Sequence, residues 1–168
     1  MKIILFLAGL FITGFSSAQP SVKLYGYSQA FIPGMVRQND NPDENGGQPA
    51  APPGIQTTYY IYTAVSPGVT ILPTAVWLAG KWDTIVSRQL QKTPVMTEHP
   101  EKKQLVGATK LTVHLLNPGD TLLKPPLLTG SLKKLMKENE LVLAYVWKGK
   151  KYYAALKKLT ELEPVQGL

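Results

Sequence analysis

Glycine and proline, fourteen of each, cut this 168-residue chain into short apolar runs. Such punctuation leaves little room for long helices. Proline removes a backbone donor, and glycine loses the most conformational entropy inside a helix. It suits many short strands joined by turns. The runs themselves alternate as strands do. In Ser21–Ile32, Val22, Leu24 and Gly26 interleave with Lys23, Tyr25 and Tyr27. Thr57–Ser66 is rich in tyrosine and β-branched residues, with Tyr60 and Tyr62 on one face and Tyr59 and Ile61 on the other.

Pro67-Gly68 reads as a turn into a strand over Val69–Leu78, where Pro73 signals an edge or a bulge. Ala79-Gly80 turns the chain into Lys81–Arg88, so these three runs predict a meander of adjacent strands. Thr93–Thr97 predicts a short edge strand. Leu105–Leu116 predicts a longer one, with Leu111, Val113 and Leu115 opposite Lys110, Thr112 and His114. Asn117-Pro118-Gly119-Asp120 has turn chemistry, and Pro125-Pro126 makes Thr121–Thr129 extended and irregular. Leu132, Leu135 and Met136 have helical spacing over Ser131–Asn139, with Ser131 as N-cap. Leu141–Trp147 and Lys151–Leu156 read as a hairpin around Lys148-Gly149-Lys150. In the tail, Leu159 and Leu162 continue either that strand pattern or a helix face with Tyr152 and Leu156. The hairpin favours strand at its start, and Pro164 ends it.

The expected architecture is one mostly β domain over 19–168. It is an antiparallel β-sandwich of the immunoglobulin-like type with one short helix and Trp77 as a core tryptophan. A barrel or a small α+β fold is the rival.

The first eighteen residues concern address rather than fold. Met1-Lys2 precedes an apolar stretch from Ile3 to Phe15, and Ser16-Ser17-Ala18 places small residues before Gln19. This pattern predicts a signal peptide cleaved after Ala18. The chain has no cysteine and no Asn-x-Ser/Thr acceptor. For an exported protein, both favour a bacterial envelope, in the periplasm or beyond. Without cysteine there is no disulfide framework, thiol chemistry or Cys-type zinc site. Loss of the leader leaves seventeen basic and eleven acidic residues, a net charge of +6. No later segment has the apolar length of a membrane helix. Outside the cytoplasm, that charge points to an envelope protein or an anionic polysaccharide rather than to nucleic acid.

Motifs of catalysis are missing. There is no G-x-S-x-G, Walker A, G-x-G-x-x-G or H-E-x-x-H pattern, and His99 and His114 stand alone. A paired-carboxylate hydrolase would need Asp83, Asp120 or Glu98 to meet across a cleft. Asn41, Asp43 and Asn45, followed by Gly46, echo the start of a calcium loop within the Asn/Asp/Gly/Pro-rich segment 37–56. Asn at the first position, Pro42 at the second and Pro52 at the twelfth depart from that pattern. No cofactor is expected.

What remains are surfaces that bind. Tyr60 and Tyr62 offer rings on a sheet face. Trp147, Tyr152 and Tyr153 surround a turn carrying Lys148 and Lys150, and eight lysines face two acids between Lys133 and Lys158. Aromatic anchors ringed by charge are the chemistry of a protein interface. The sequence therefore predicts a non-enzymatic binding or assembly module of the envelope. Carbohydrate binding by surface aromatics, with calcium at the acidic loop, is the alternative.

Overall fold

Two tight turns set the register of half the sheet. Ala79 and Gly80 have φ of 48° and 82°, and Lys148 and Gly149 have φ of 47° and 74°. Two successive residues in the left-handed region are what a two-residue hairpin matched to strand twist requires. Glycine supplies the second at no steric cost. The computed structural model describes residues 19–33, 54–97 and 102–166. Among these, the elements in order are β1 (Val22–Ile32), β2 (Gln56–Val65), β3 (Leu72–Leu78), β4 (Lys81–Gln91), β5 (Val95–Met96), β6 (Gln104–Val106), β7 (Thr112–Thr121), α1 (Gly130–Glu138), β8 (Leu141–Trp147), β9 (Lys150–Leu156) and β10 (Thr160–Gln166).

Eight strands form one sheet in the order β10-β1-β2-β7-β4-β3-β8-β9, and β5 and β6 pair separately. Every neighbour is antiparallel except β1 and β10, which run parallel. The outermost strands, β9 and β10, are consecutive in the chain, so the short link 157–159 spans from one end of the sheet to the other. This curls the sheet. The curl is tight at Gly26 of β1, where a Cβ would lie 2.5 Å from Leu159 Cδ2 and 3.0 Å from Leu156 Cδ2. The protein is thus mostly β with one short helix, its strands laid in a curled sheet of the sandwich or half-barrel kind. An immunoglobulin-like strand order is not what defines it.

Side-chain alternation gives the sheet an inner and an outer surface. Leu24, Ile61, Val65, Val76, Leu78, Leu116, Leu141, Leu143 and Tyr145 fill the inside as the main core. Each such side chain removed from water stabilises the fold by about 1.5–3 kcal/mol. Outside, two patches are covered by different elements. The β5–β6 hairpin packs Val95, Leu105 and Val106 on Tyr62, Ala64 and Val113. Helix α1 packs Leu132, Leu135 and Met136 on Ala75, Trp82, Val142 and Ala144. Among the described residues, no helix is long and apolar enough to cross a membrane.

Several expectations change. Strand β2 lies between β1 and β7, so only β3 and β4 of the predicted meander are neighbours. Leu105 belongs to β6 and not to the strand that follows, because the chain leaves the small hairpin before joining the sheet. Asn117–Asp120 is not a turn. It runs inside β7, and the register against β4 shifts twice opposite it. A bulge needs no donor from Pro118. Gly119 permits the close approach, since a Cβ there would lie 2.2 Å from Val86 Cγ1.

The N-cap is Thr129, whose side chain accepts from Leu132 N, rather than Ser131. Capping there puts Leu132 three positions on, where it is buried. The tail is a strand to Gln166, so Pro164 does not end it. Pro164 is tolerated because β10 is an edge strand, and the β1 register shifts beside it. Pro73 does mark a bulge, against β8.

Candidate functional site

On the outer face of β2, Tyr60 is half-buried and Tyr62 is buried, at 4% exposure. Register brings Tyr60 beside Tyr27 of β1, and Tyr62 beside Tyr25 of β1 and Leu115 of β7. Beyond β7, Gln89 of β4 pairs with Leu115 and Gln91 with Val113. A cleft of about 500 Å³ runs over this face. Its floor is Gln29, Tyr60, Tyr62, Leu115, Gln89 and Gln91, and its wall is Val95, Met96, Thr97 and Leu105 of the small hairpin region, with Val165 of β10 at one side. The strands β5 and β6 at its wall are only two and three residues long.

The polar groups are held. Tyr60 Oη donates to Gln29 Oε1 at 3.2 Å, and Gln29 Nε2 donates to the Glu163 carbonyl at 3.0 Å. This chain orients the amide and links β1, β2 and β10. The Tyr27 hydroxyl donates to the Leu105 carbonyl and ties the hairpin down. Tyr27 and Tyr62 meet edge to face, with ring centroids 6.3 Å apart. Burial, then the neighbouring Tyr60 and Tyr27, raises the Tyr62 hydroxyl above its ordinary pKa. Burial and Tyr25 do the same to Tyr27. Both stay neutral donors at any physiological pH. Among the described residues that line the cleft, none is Asp, Glu, Lys, Arg or His. Amides, hydroxyls and rings recognise a neutral polar ligand and offer no strong acid or base for proton transfer.

The β8–β9 hairpin distributes its residues over two faces. Trp147 and Tyr152 lie on the inner side, 6.1 Å apart, and Tyr152 stacks on Tyr145 at 5.8 Å. Lys148 Nζ sits 4.6 Å from the centre of the Trp147 ring. Lys150 pairs with Trp147 across the turn. Tyr153 faces the other way, packing with the α1 patch. It lines a second cavity of about 310 Å³ with Lys151, Lys124 and the Pro125-Pro126 segment. The hairpin residues are thus near in sequence but do not share one surface.

Asp83 is 5% exposed, paired with Lys81 Nζ at 3.2 Å and accepting from Thr121 Oγ1 at 3.0 Å. Its register partner is Thr121, not Asp120. That carboxylate is occupied structurally. His114 sits opposite Thr63, on the same side of the sheet as the main core, and beside Arg88 in a third cavity of about 250 Å³. Burial and Arg88 lower its pKa. It is therefore half-buried rather than on a solvated face.

The calcium-like residues Asn41, Asp43 and Asn45, the predicted leader and Glu98 and His99 lie outside the described residues. Among the described residues, no three His, Cys, Asp or Glu side chains gather as metal ligands would.

Sequence reasoning found Tyr60 and Tyr62 but missed Gln29, Gln89 and Gln91. Their signal was alternation: Gln29 follows Tyr25 and Tyr27 at every second position, and Gln89 and Gln91 repeat that spacing at the end of β4. Comparison with protein-family models, with curated proteins and with solved structures gives no match.

Proposed function

We propose that this chain is an exported, non-enzymatic binding module of the bacterial cell envelope, and that its ligand lies in the cleft over Tyr60. The observation that carries this is the lining itself: among the described residues it holds three glutamines and two tyrosines beside mostly apolar residues, and no charged side chain. Such a surface binds by directed hydrogen bonds and ring stacking. A neutral saccharide, with hydroxyls for the amides and a C–H face for a ring, is the ligand class it suits best. The second reading is capture of an envelope protein at the β8–β9 tip through Trp147, Lys148 and Lys150, since Tyr152 and Tyr153 are turned to opposite faces. Lys148 over the Trp147 ring, with exposed Lys150 beside it, favours it. An anionic polysaccharide would also choose that tip.

Calorimetric titration of the chain from Gln19 onward with neutral and with uronic-acid oligosaccharides tests the proposal. Neutral sugars bind, and Tyr60→Ala or Gln29→Ala weakens binding by at least about tenfold. Undiminished affinity in both variants, or binding of acidic sugars alone, overturns it. Export is checked separately by the N-terminus of the mature protein, expected at Gln19.

A further inference from the structure

Residues 122–129, between β7 and α1, form a strap that turns leucine outward. Leu123 is 99% exposed, Leu127 87% and Leu128 43%. These side chains are not free to fold inward. Leu122 N bonds the Trp82 carbonyl at 2.8 Å and Leu122 packs in the α1 patch, anchoring one end. Thr129 caps α1 and anchors the other. Between them, Pro125-Pro126 restricts the backbone. Large apolar groups held in water this way indicate a surface with a partner.

The charge around the leucines says which kind. Helix α1 packs through Leu132, Leu135 and Met136, which leaves Lys133, Lys134 and Lys137 exposed on its outward side. Lys124 lies within the strap, and Lys151 of β9 lines the cavity beneath it. Of these five lysines, Lys134 alone has an acidic partner among the described residues, Glu138 at 3.9 Å on an exposed face. An anionic polysaccharide would account for the lysines but not for the leucines. Exposed aliphatic side chains with lysine in the same segment, on the helix that follows it and on the strand beneath it match a lipid surface with anionic head groups.

We infer that the strap and α1 form a docking surface for an anionic lipid bilayer, with Leu123 and Leu127 entering the acyl boundary and the lysines meeting head-group phosphates. This surface is independent of the Tyr60 cleft.

Sedimentation with vesicles tests it, using the chain from Gln19 onward, which holds every described strand. Vesicles of phosphatidylglycerol and phosphatidylcholine in equal parts retain the protein, and pure phosphatidylcholine vesicles do not. The double variant Leu123→Ser, Leu127→Ser lowers the partition coefficient by at least about tenfold. The triple variant Lys124→Gln, Lys133→Gln, Lys137→Gln lowers it by about a hundredfold at low salt, each lysine being worth about fivefold. All these side chains are exposed, so the circular-dichroism melt stays unchanged. Tyr60→Ala keeps full vesicle binding. Protein left in the supernatant overturns the inference, whether or not the strap captures a protein instead. So does equal binding to both vesicle types, or an unchanged partition in the leucine variant.

Discussion

Strand β2 and the β8–β9 hairpin are both rich in tyrosine, and both read in sequence as places to bind something. In the folded chain their aromatics differ in what lies over them. Of the outer rings of β2, Tyr62 is packed under the hairpin of two very short strands, and Tyr60 lines the cleft beside it. On β8 and β9, Tyr145, Trp147 and Tyr152 stack together inside the curl, with Tyr145 only 1% exposed. Tyr153, on the reverse side, lies under the strap and α1. Whether an aromatic is an anchor for a ligand or for the fold is set by the element that covers it. The strand's own alternation does not decide this.

The largest effect that can break this comparison is on stability. Tyr152→Ala removes a ring that stacks on Tyr145 and meets Trp147 edge-on, and should cost roughly 2–4 kcal/mol in urea denaturation. Tyr60→Ala, at the open cleft, should cost about 1 kcal/mol or less, since its ring and hydroxyl face a partly solvated surface. Equal losses would mean that the two tyrosines do the same job.

A smaller effect tests the curl that buries the hairpin aromatics. Gly26→Val places carbon where Leu159 and Leu156 now sit, and should destabilise by about 1–3 kcal/mol through overpacking. Saccharide affinity should be preserved, because Gly26 faces the core and the cleft is on the other side of the sheet. A melt unchanged by this substitution would show that the two ends of the sheet are not held together there.

The smallest effect separates the two sides of β7 by pH. His114 lies on the core side, its pKa lowered first by burial and then by Arg88. The unfolded chain therefore takes up the proton first. Stability should be full above the ordinary value of 6.5 and should fall as pH drops through the lowered folded value. His114→Gln should flatten that part of the melting-temperature profile. Binding in the cleft, whose described lining residues include no histidine, should stay constant over the same range. Parallel loss of binding and stability in His114→Gln would join the two faces into one site.

How much was legible beforehand follows from how local each feature is. Alternation in Val22–Tyr27, the chemistry of Ala79-Gly80 and Lys148-Gly149, and the spacing of Leu132, Leu135 and Met136 are properties of neighbouring residues. They determined the strands, both tight hairpins, the helix and the shared face of Tyr60 and Tyr62. Asn117-Pro118-Gly119-Asp120 misled for the same reason. Locally it is turn chemistry, and only the presence of β4 alongside turns it into a bulged strand. The glutamines of the cleft went unnoticed because amides carry no sequence signature until strands from distant parts of the chain bring them together.

The sequence by itself determined a mostly β chain, its turns, and an uneven charge with lysine gathered in its last third. Those rest on backbone sterics and side-chain periodicity, which act over a few residues. Only the tertiary structure decided that β10 closes back beside β1, that Trp147 and Tyr152 turn inward, and that Leu123 and Leu127 stay outside. Each of these depends on which distant element arrives to exclude water from a given face. Pairing between strands far apart in the chain is not encoded in either strand alone.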